Sequence, residues 1–254
     1  MSDDAPSGVL AKALTVLQAF TVEDTTLGFA ELQRRTDFAK STLHRVLGDL
    51  VAARLLDRVE GRYRLSGLVF ELGMRASVER GLLEVATPFL EDLYVRTHEL
   101  VHLGTREGAE VVYVAKMGGH RQADSPSRLG GRMPLHATAI GKVLLAHAPA
   151  EVREATLRGP LDRKAPRTIT NVDVLSRQLA DVVTSGVAFE YEESAVGIVC
   201  VAAGVFDPSD EVVAAVSVTG PVHRFQPARH AGSVRAAAAG ISATLGRRAE
   251  LRNH

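Results

Sequence analysis

The sequence predicts an α+β chain in two parts: a small helical module closed by a basic hairpin, then a larger domain that alternates strands with helices. Three observations predict it. Apolar residues recur at helical spacing through the first part, a strand-like pair flanks the dipeptide Glu60-Gly61, and beyond residue 100 Val- and Ala-rich runs alternate with amphipathic segments. At 254 residues the chain has room for one large domain or two small ones, and 46% hydrophobic with 24% charged residues is ordinary for a packed globular protein. Thirty basic residues balance thirty acidic ones, so any nucleic-acid face must be local. The single cysteine, Cys200, excludes an intramolecular disulfide and a Cys-built zinc site, and suits a reducing cytosol. The first apolar stretch, 9–20, carries Lys12 and Gln18 behind Asp3 and Asp4, and no window reaches the roughly 20 apolar residues of a membrane span. A cytoplasmic protein without membrane association is expected.

After a flexible acidic leader, Leu10, Leu14, Leu17 and Phe20 share one helical face and predict a first core helix. A short second helix over 29–36 must stop near Asp37. The third, over 40–53, turns Leu43, Val46, Leu47 and Leu50 inward and Thr42, Arg45 and Asp49 outward, with Ser41 or Thr42 available as a cap. Residues 55–65 then read as two short strands carrying Arg58, Arg62 and Arg64. Three helices followed by a basic hairpin is the order of a winged helix-turn-helix, whose third helix enters the major groove while the wing reaches phosphate. Between residues 32 and 64, eight Lys/Arg stand against four acids, the local excess that phosphate binding requires. Winged helices also bind proteins, and this segment alone leaves that alternative open.

Residues 66–97 are helical again, with Pro88 either kinking the run or starting a new helix, and are expected to connect the two parts and pair with another chain. Beyond them, strands are predicted at 100–105, 109–117, 187–189, 196–206 and 211–219. Helices are predicted at 138–147, 150–157, 171–185 with Gly186 as the stop, and 229–246.

Several constellations could carry chemistry. His98-Glu99-Leu100-Val101-His102 matches the H-E-x-x-H signature of zinc peptidases, and a zinc-dependent hydrolase is the alternative function. The signature needs a helix, whereas the residues after it read as a strand. Cys200 sits mid-strand in apolar company, which raises a thiol pKa; a small-molecule enzyme with a reactive Cys200 is a further competing class. If the loop 207–210 closes symmetrically, Cys200 faces Ser217 and Ile198 faces Thr219. One sheet face then carries a row of small hydroxyl and thiol groups fit for a small-ligand pocket, unless Ser217 and Thr219 face solvent. The segment 134–145 is a loop leading into a helix capped by Thr138 or His136, whose first amides near Ala139 and Ile140 would hold an anion. Gly141-Lys142 is not a phosphate-binding P-loop, because His136 replaces its leading glycine and no hydroxyl residue follows the lysine.

Three motifs resemble the IclR family of bacterial transcription regulators: Phe38-Ala39-Lys40-Ser41-Thr42-Leu43-His44-Arg45-Val46-Leu47, Leu135-His136-Ala137-Thr138-Ala139-Ile140-Gly141-Lys142, and Glu190-Tyr191-Glu192-Glu193-Ser194-Ala195-Val196-Gly197 leading to Cys200. The resemblance implies a winged helix-turn-helix DNA-binding domain over 8–67, linker and dimerisation helices over 68–97, and a GAF-like α/β effector domain over 98–247. It implies no catalysis and no cofactor or metal. A homodimer or dimer of dimers would bind a palindromic double-stranded operator, with a small organic acid, aromatic acids included, as effector; the regulator is expected to repress. DNA contacts are expected from Lys40, Ser41, Thr42, His44, Arg45, Arg58 and Arg62, with Arg45 the candidate base contact. The family's effector pocket carries over to Met133, Ala139, Ile140, Glu190, Cys200, Ser217 and Thr219, with the polar segment 118–132 as a wall. Glu190 stands where family members often carry Asp, a longer carboxylate that narrows the pocket or takes a hydroxyl from the effector.

Overall fold

The computed structural model describes residues 8–21, 23–75, 77–119 and 123–252, so the acidic leader and part of the segment 118–132 lie outside the described residues. The chain divides into two compact units at 80/81. In the first unit, α1 (Val9–Gln18), α2 (Phe29–Thr36) and α3 (Lys40–Ala52) precede the hairpin β1 (Leu56–Val59) and β2 (Arg62–Leu65), and α4 (Gly67–Met74) follows. Val16, Leu32, Leu43, Val46, Leu47, Leu50 and Leu56 form its core. The inward face of α3 is the one its periodicity predicts. That of α1 is not: Val16 is buried and Ala13, Leu17 and Phe20 pack against the core, whereas Leu10 and Leu14 are 74% and 48% exposed. Leu14 lies about 100° round the helix from Ala13, off the buried stripe.

Four local details bear on what the sequence predicts for this unit. Ser41 and Thr42 lie inside the first turn of α3, so neither caps it; Ala39 takes the N-cap position without a side-chain bond. Asp37 ends α2 in the left-handed region, φ 55°, as its position predicted. Glu60 (φ 51°) and Gly61 (φ 78°) form the tight turn that matches the twist of a two-residue hairpin. A bridge between Leu27 and Tyr63 adds a third pairing to the wing.

The helix α5 (Ser77–Thr97) runs through Pro88 as one element. From Leu82 onward it is not a bare connector, because Leu82, Val85, Ala86, Leu90 and Leu93 pack in the core of the second unit. That unit continues with β3 (Leu100–Glu107), β4 (Glu110–Met117), β5 (Arg132–Pro134), α6 (Ala139–Ala146), α7 (Ala150–Arg158), α8 (Val172–Ser185), β6 (Ala188–Tyr191), β7 (Ile198–Phe206), β8 (Val212–Pro221) and α9 (Pro227–Arg252). Its six strands form an antiparallel sheet in the order β5-β4-β3-β8-β7-β6. One face, rich in valines 101, 199, 201, 216 and 218, packs against α5 and α9; the other, with Cys200, Ala202 and Ala215, packs against α6 and α8. Alternation along each strand thus builds two cores from one sheet. Asn171 caps α8 through a bond from the Val174 amide, and Gly186 ends it at φ 72°. No helix among the described residues is long and apolar enough to cross a membrane.

The register of β7 and β8 corrects one expectation. Cys200 pairs with Thr219, not Ser217; Ser217 pairs with Ala202, and Ile198 with Pro221. The turn is one residue longer than assumed, since Phe206 pairs with Val212, and a bulge beside Val205 adds one more. A slip of two leaves every side chain on its predicted face.

Candidate functional site

In the first unit, Lys40, Ser41, His44 and Arg45 are exposed on α3 and Thr42 is half-buried, so one helix presents these five residues outward. The ring of His44 stacks on Phe29 of α2 at 4.3 Å, which orients it on that surface. Charge pairing sorts the eight basic residues of this region. Arg34 and Arg35 bind Glu31, Arg35 also binds Asp24, and Arg64 binds Asp57 at 3.0 Å. Hydrogen bonds from Arg35 and Thr21 hold the Asp24 carboxyl well below the ordinary carboxylate range, and those from Arg34 and Arg35 lower that of Glu31. Lys40, Arg45, Arg54, Arg58 and Arg62 have no acidic partner within salt-bridge distance among the described residues. Arg58 lies over the Tyr63 ring, 6.0 Å from its centre. Arg62, expected only as a phosphate contact, donates from Nε to Thr26 Oγ1 (2.8 Å) and from Nη2 to the Thr26 carbonyl (3.0 Å), and so also ties the wing to the loop before α2. The unpaired positive charge is concentrated on α3 and the wing, the arrangement that phosphate neutralisation needs.

In the second unit, a small cavity of about 10 Å³, space for about one water molecule, lies between the sheet and the start of α6. Met133, Ala139, Ile140, Glu190, Cys200, Ser217 and Thr219 all line it. They come from β5, α6, β6, β7 and β8, and only the fold brings them together. Ser217 and Thr219 are buried rather than solvent-facing, and Thr219 Oγ1 lies 2.9 Å from Cys200 Sγ. Thr138 caps α6: its hydroxyl accepts from the Gly141 amide at 3.0 Å, leaving the first amides of the helix free of intrahelical partners beside the cavity. Gly141 is required there, because a Cβ would meet the Leu135 carbonyl oxygen at 2.3 Å.

Burial sets the protonation of this site. It raises the Glu190 carboxyl, although Ser194 opposes the shift by donating from its amide (2.9 Å) and hydroxyl (2.7 Å) to Oε1. Glu190 therefore takes its hydroxyl from Ser194 within the chain. The Cys200 thiol is pushed well above its ordinary value by burial, with the Glu190 charge adding to the effect, which makes it a poor nucleophile. Burial also raises Tyr113. Behind the cavity, Lys142 is fully buried and donates to the Phe189 carbonyl (3.0 Å) and to Glu193 Oε1 (2.7 Å), so its role is to join α6 to β6.

The zinc reading fails on geometry. His98 follows α5 at φ 52°, Glu99 is bound by Arg224 through an Nη2 to Oε2 bond of 3.2 Å, and His102 lies within β3. Along extended chain four residues span about 13 Å, too far for one metal to take both imidazoles. Among the described residues no group of three or more potential ligands gathers at all.

Sequence reasoning missed His102, Tyr113, Ser125, Ser127 and Ser194 as cavity residues. The alternation that placed Ser217 inward also places His102 inward, because the two are direct partners between β3 and β8. Ser125 and Ser127 belong to the polar segment expected as a wall, and no periodicity marks them out.

Two family models match the chain in succession. The model of the IclR helix-turn-helix domain matches residues 9–60, and that of the bacterial transcriptional regulator IclR C-terminal domain matches residues 74–243. The transcriptional regulator KdgR of Escherichia coli K12 is 34% identical over 96% of this chain and 94% of its own length. The transcriptional repressor AllR of Klebsiella pneumoniae is 30% identical over 93% and 89%. The crystal structure of an IclR homolog complexed with 4-hydroxybenzoate from Microbacterium hydrocarbonoxydans superposes with a TM-score of 0.87 at 32% identity, covering 94% of this chain and 99% of that one.

Proposed function

The chain belongs to the IclR family of bacterial transcriptional regulators, and from that premise we propose that it binds a palindromic operator as a dimer or dimer of dimers, with affinity set by a small organic acid in the cavity beside α6. It is a helix-turn-helix regulator and not an enzyme. On the DNA side, α3 enters the major groove, where Arg45 is the base-reading residue and Ser41, Thr42 and His44 adjust the fit. Lys40 and Arg58 hold phosphate, and Arg62 adds its remaining Nη1. One recognition helix covers only a few base pairs, so two copies on a two-fold operator are needed for useful specificity. Repression is the expected outcome and the cytoplasm the expected place.

The observation that carries the effector reading is the convergence of seven residues from five elements on one buried cavity that opens onto free helix amides. Amides and hydroxyls there suit a carboxylate without any cationic side chain. A molecule of even three or four heavy atoms exceeds the cavity's present volume, so binding must displace its walls. A ligand that favours the displaced arrangement shifts the population toward it, and DNA affinity changes if the two arrangements bind operator differently.

The test is fluorescence anisotropy of the full chain on DNA from its upstream intergenic region against a scrambled duplex, across a salt series, with titration of carboxylic acids. The 4-hydroxybenzoate held by the Microbacterium relative makes aromatic acids the first to try. Sequence-selective binding with a steep negative salt slope, altered by an acid, is the expected result. Binding indifferent to sequence on both this DNA and a selected random pool would refute the operator reading.

A further inference from the structure

His102 lines the cavity and carries a buried polar atom that the hydroxyl row and the helix amides do not satisfy. On β3 it stands beside Ser217 of β8, separated from Glu190 on β6 by the strands β8 and β7. Its side chain is 1% exposed, and Nε2 lies 2.8 Å from Ser127 Oγ. Nδ1 is buried with no hydrogen-bond partner among the described residues. The ring is held in place rather than free to turn. Ser125 Oγ lies 2.8 Å from Ser127 Oγ, Lys116 Nζ donates to the Ser127 carbonyl at 2.7 Å, and the Tyr113 ring meets His102 edge-on at 5.3 Å. Burial, with the Lys116 charge behind it, pushes the imidazole down to about 3, so it offers a neutral hydrogen bond and no counter-charge.

We infer that His102 is a specificity-determining residue of the ligand site: its Nδ1 pairs with a hydroxyl of the effector, while the effector's carboxylate rests on the first amides of α6. This rests on the effector reading of the cavity. A hydroxyl fits because it both donates and accepts, and so satisfies Nδ1 whichever tautomer the Ser127 bond selects. A second carboxylate does not fit, since among the described residues no Lys or Arg lines the cavity and Glu190 does. An acid lacking the hydroxyl would keep Nδ1 buried and unpaired, which is how a polar site rejects a deoxy analogue.

The experiment measures dissociation constants of the full chain for acids paired with and without one hydroxyl: 3- and 4-hydroxybenzoate against benzoate, and lactate and 3-hydroxypropionate against propionate. Wild type should bind the hydroxylated member of its best pair at least about tenfold more tightly than the parent, the worth of one buried hydrogen bond. Two variants separate recognition from scaffolding. Gln places its amide near Nε2 and keeps the Ser127 contact, whereas Asn places its amide near Nδ1. His102→Gln should bring the ratio to within about threefold of one, and His102→Asn should retain most of it. A purely structural role predicts the reverse, with Gln tolerated and Asn harmful. If either variant fails to fold, histidine ¹⁵N resonances of the wild type decide: the His102 Nδ1 signal should move with the hydroxylated acid and not with its parent. Acids that bind wild type without discrimination, or a ratio unchanged in His102→Gln, would overturn the inference and leave the effector reading intact. Failure of every acid to bind wild type would remove the effector reading and this inference with it.

Discussion

Replacing Lys142 by methionine tests the buried link that holds the ligand site together. The lysine side chain is 1% exposed and its partner Glu193 is 5% exposed, with Nζ and Oε1 2.7 Å apart. At that distance, and with an effective dielectric of about 20, the gross attraction is about 6 kcal/mol, most of it offset by the cost of taking both charges out of water. The net value of the pair is therefore small, but losing one member is not. In Lys142→Met, Glu193 keeps only a 3.3 Å bond from the Tyr191 amide on Oε1, while Oε2 already has no partner among the described residues. An uncompensated buried charge of this kind costs about 3 to 5 kcal/mol.

With a urea slope of roughly 2 to 3 kcal/mol per molar, the unfolding midpoint of the second unit should fall by about 1 to 2.5 M. The chain has no tryptophan, so far-ultraviolet circular dichroism is the readout. Adding Glu193→Leu should recover most of the loss, because two apolar residues of similar volume can replace a buried pair without penalty. A midpoint within about 0.3 M of wild type, or a double variant no better than the single, would refute the argument that the carboxylate is charged and trapped.

Four further outcomes follow from the geometry. Arg45→Ala should weaken operator binding by about 1 to 3 kcal/mol and relax specificity at one base pair, whereas Lys40→Ala should weaken all sequences alike and reduce the salt slope by about one; both are read by anisotropy. His102 is lowered from its ordinary value of 6.5 to about 3, so its stabilising share is complete above pH 6.5 and is lost as pH falls toward 3; across that window the melting temperature should fall more steeply with falling pH for wild type than for His102→Gln. Ser217→Ala combined with Thr219→Val should abolish the response of DNA binding to an effector acid while leaving operator affinity without acid unchanged. Dialysis against a chelator should leave sequence-selective DNA binding intact, since His98 and His102 cannot share a metal; loss of binding would reopen the metal question.

Much of the architecture is legible because buried faces leave a period in the chain. The inward face of α3, the strands β3, β4, β7 and β8, and the stop at Gly186 all follow from residues within a few positions of one another. The failures share a different cause. Strand β5 is three residues long at the sheet edge, too short to show alternation, and exists because β4 offers it hydrogen bonds. Leu10 and Leu14 satisfy the helical period of α1 yet stay exposed, because period alone does not say which stripe meets the core. The bond between His102 and Ser127 spans 25 positions and joins a strand to an irregular loop, so nothing local announces it.

The cavity shows why the ligand site was more legible than its exact pairing. In an antiparallel sheet, direct partners share a face, and a side chain changes face only when the register slips by an odd number. The β7–β8 connection departs from a symmetric turn by one turn residue and one bulged residue, and the two departures add to an even slip. Cys200, Ser217 and Thr219 consequently reach the cavity side although each expected pairing was wrong. Either change alone would have turned Ser217 and Thr219 toward the opposite core, against valines 101, 199 and 201 of the neighbouring strands, where hydroxyls would lack partners and each would carry a desolvation cost of about 1 to 3 kcal/mol. Such a penalty, summed over the row, selects the even slip, so the longer turn and the bulge act as one unit. A deletion that shortens the 207–211 turn by one residue should therefore be rescued by removing the bulged position, and not by any substitution within the turn.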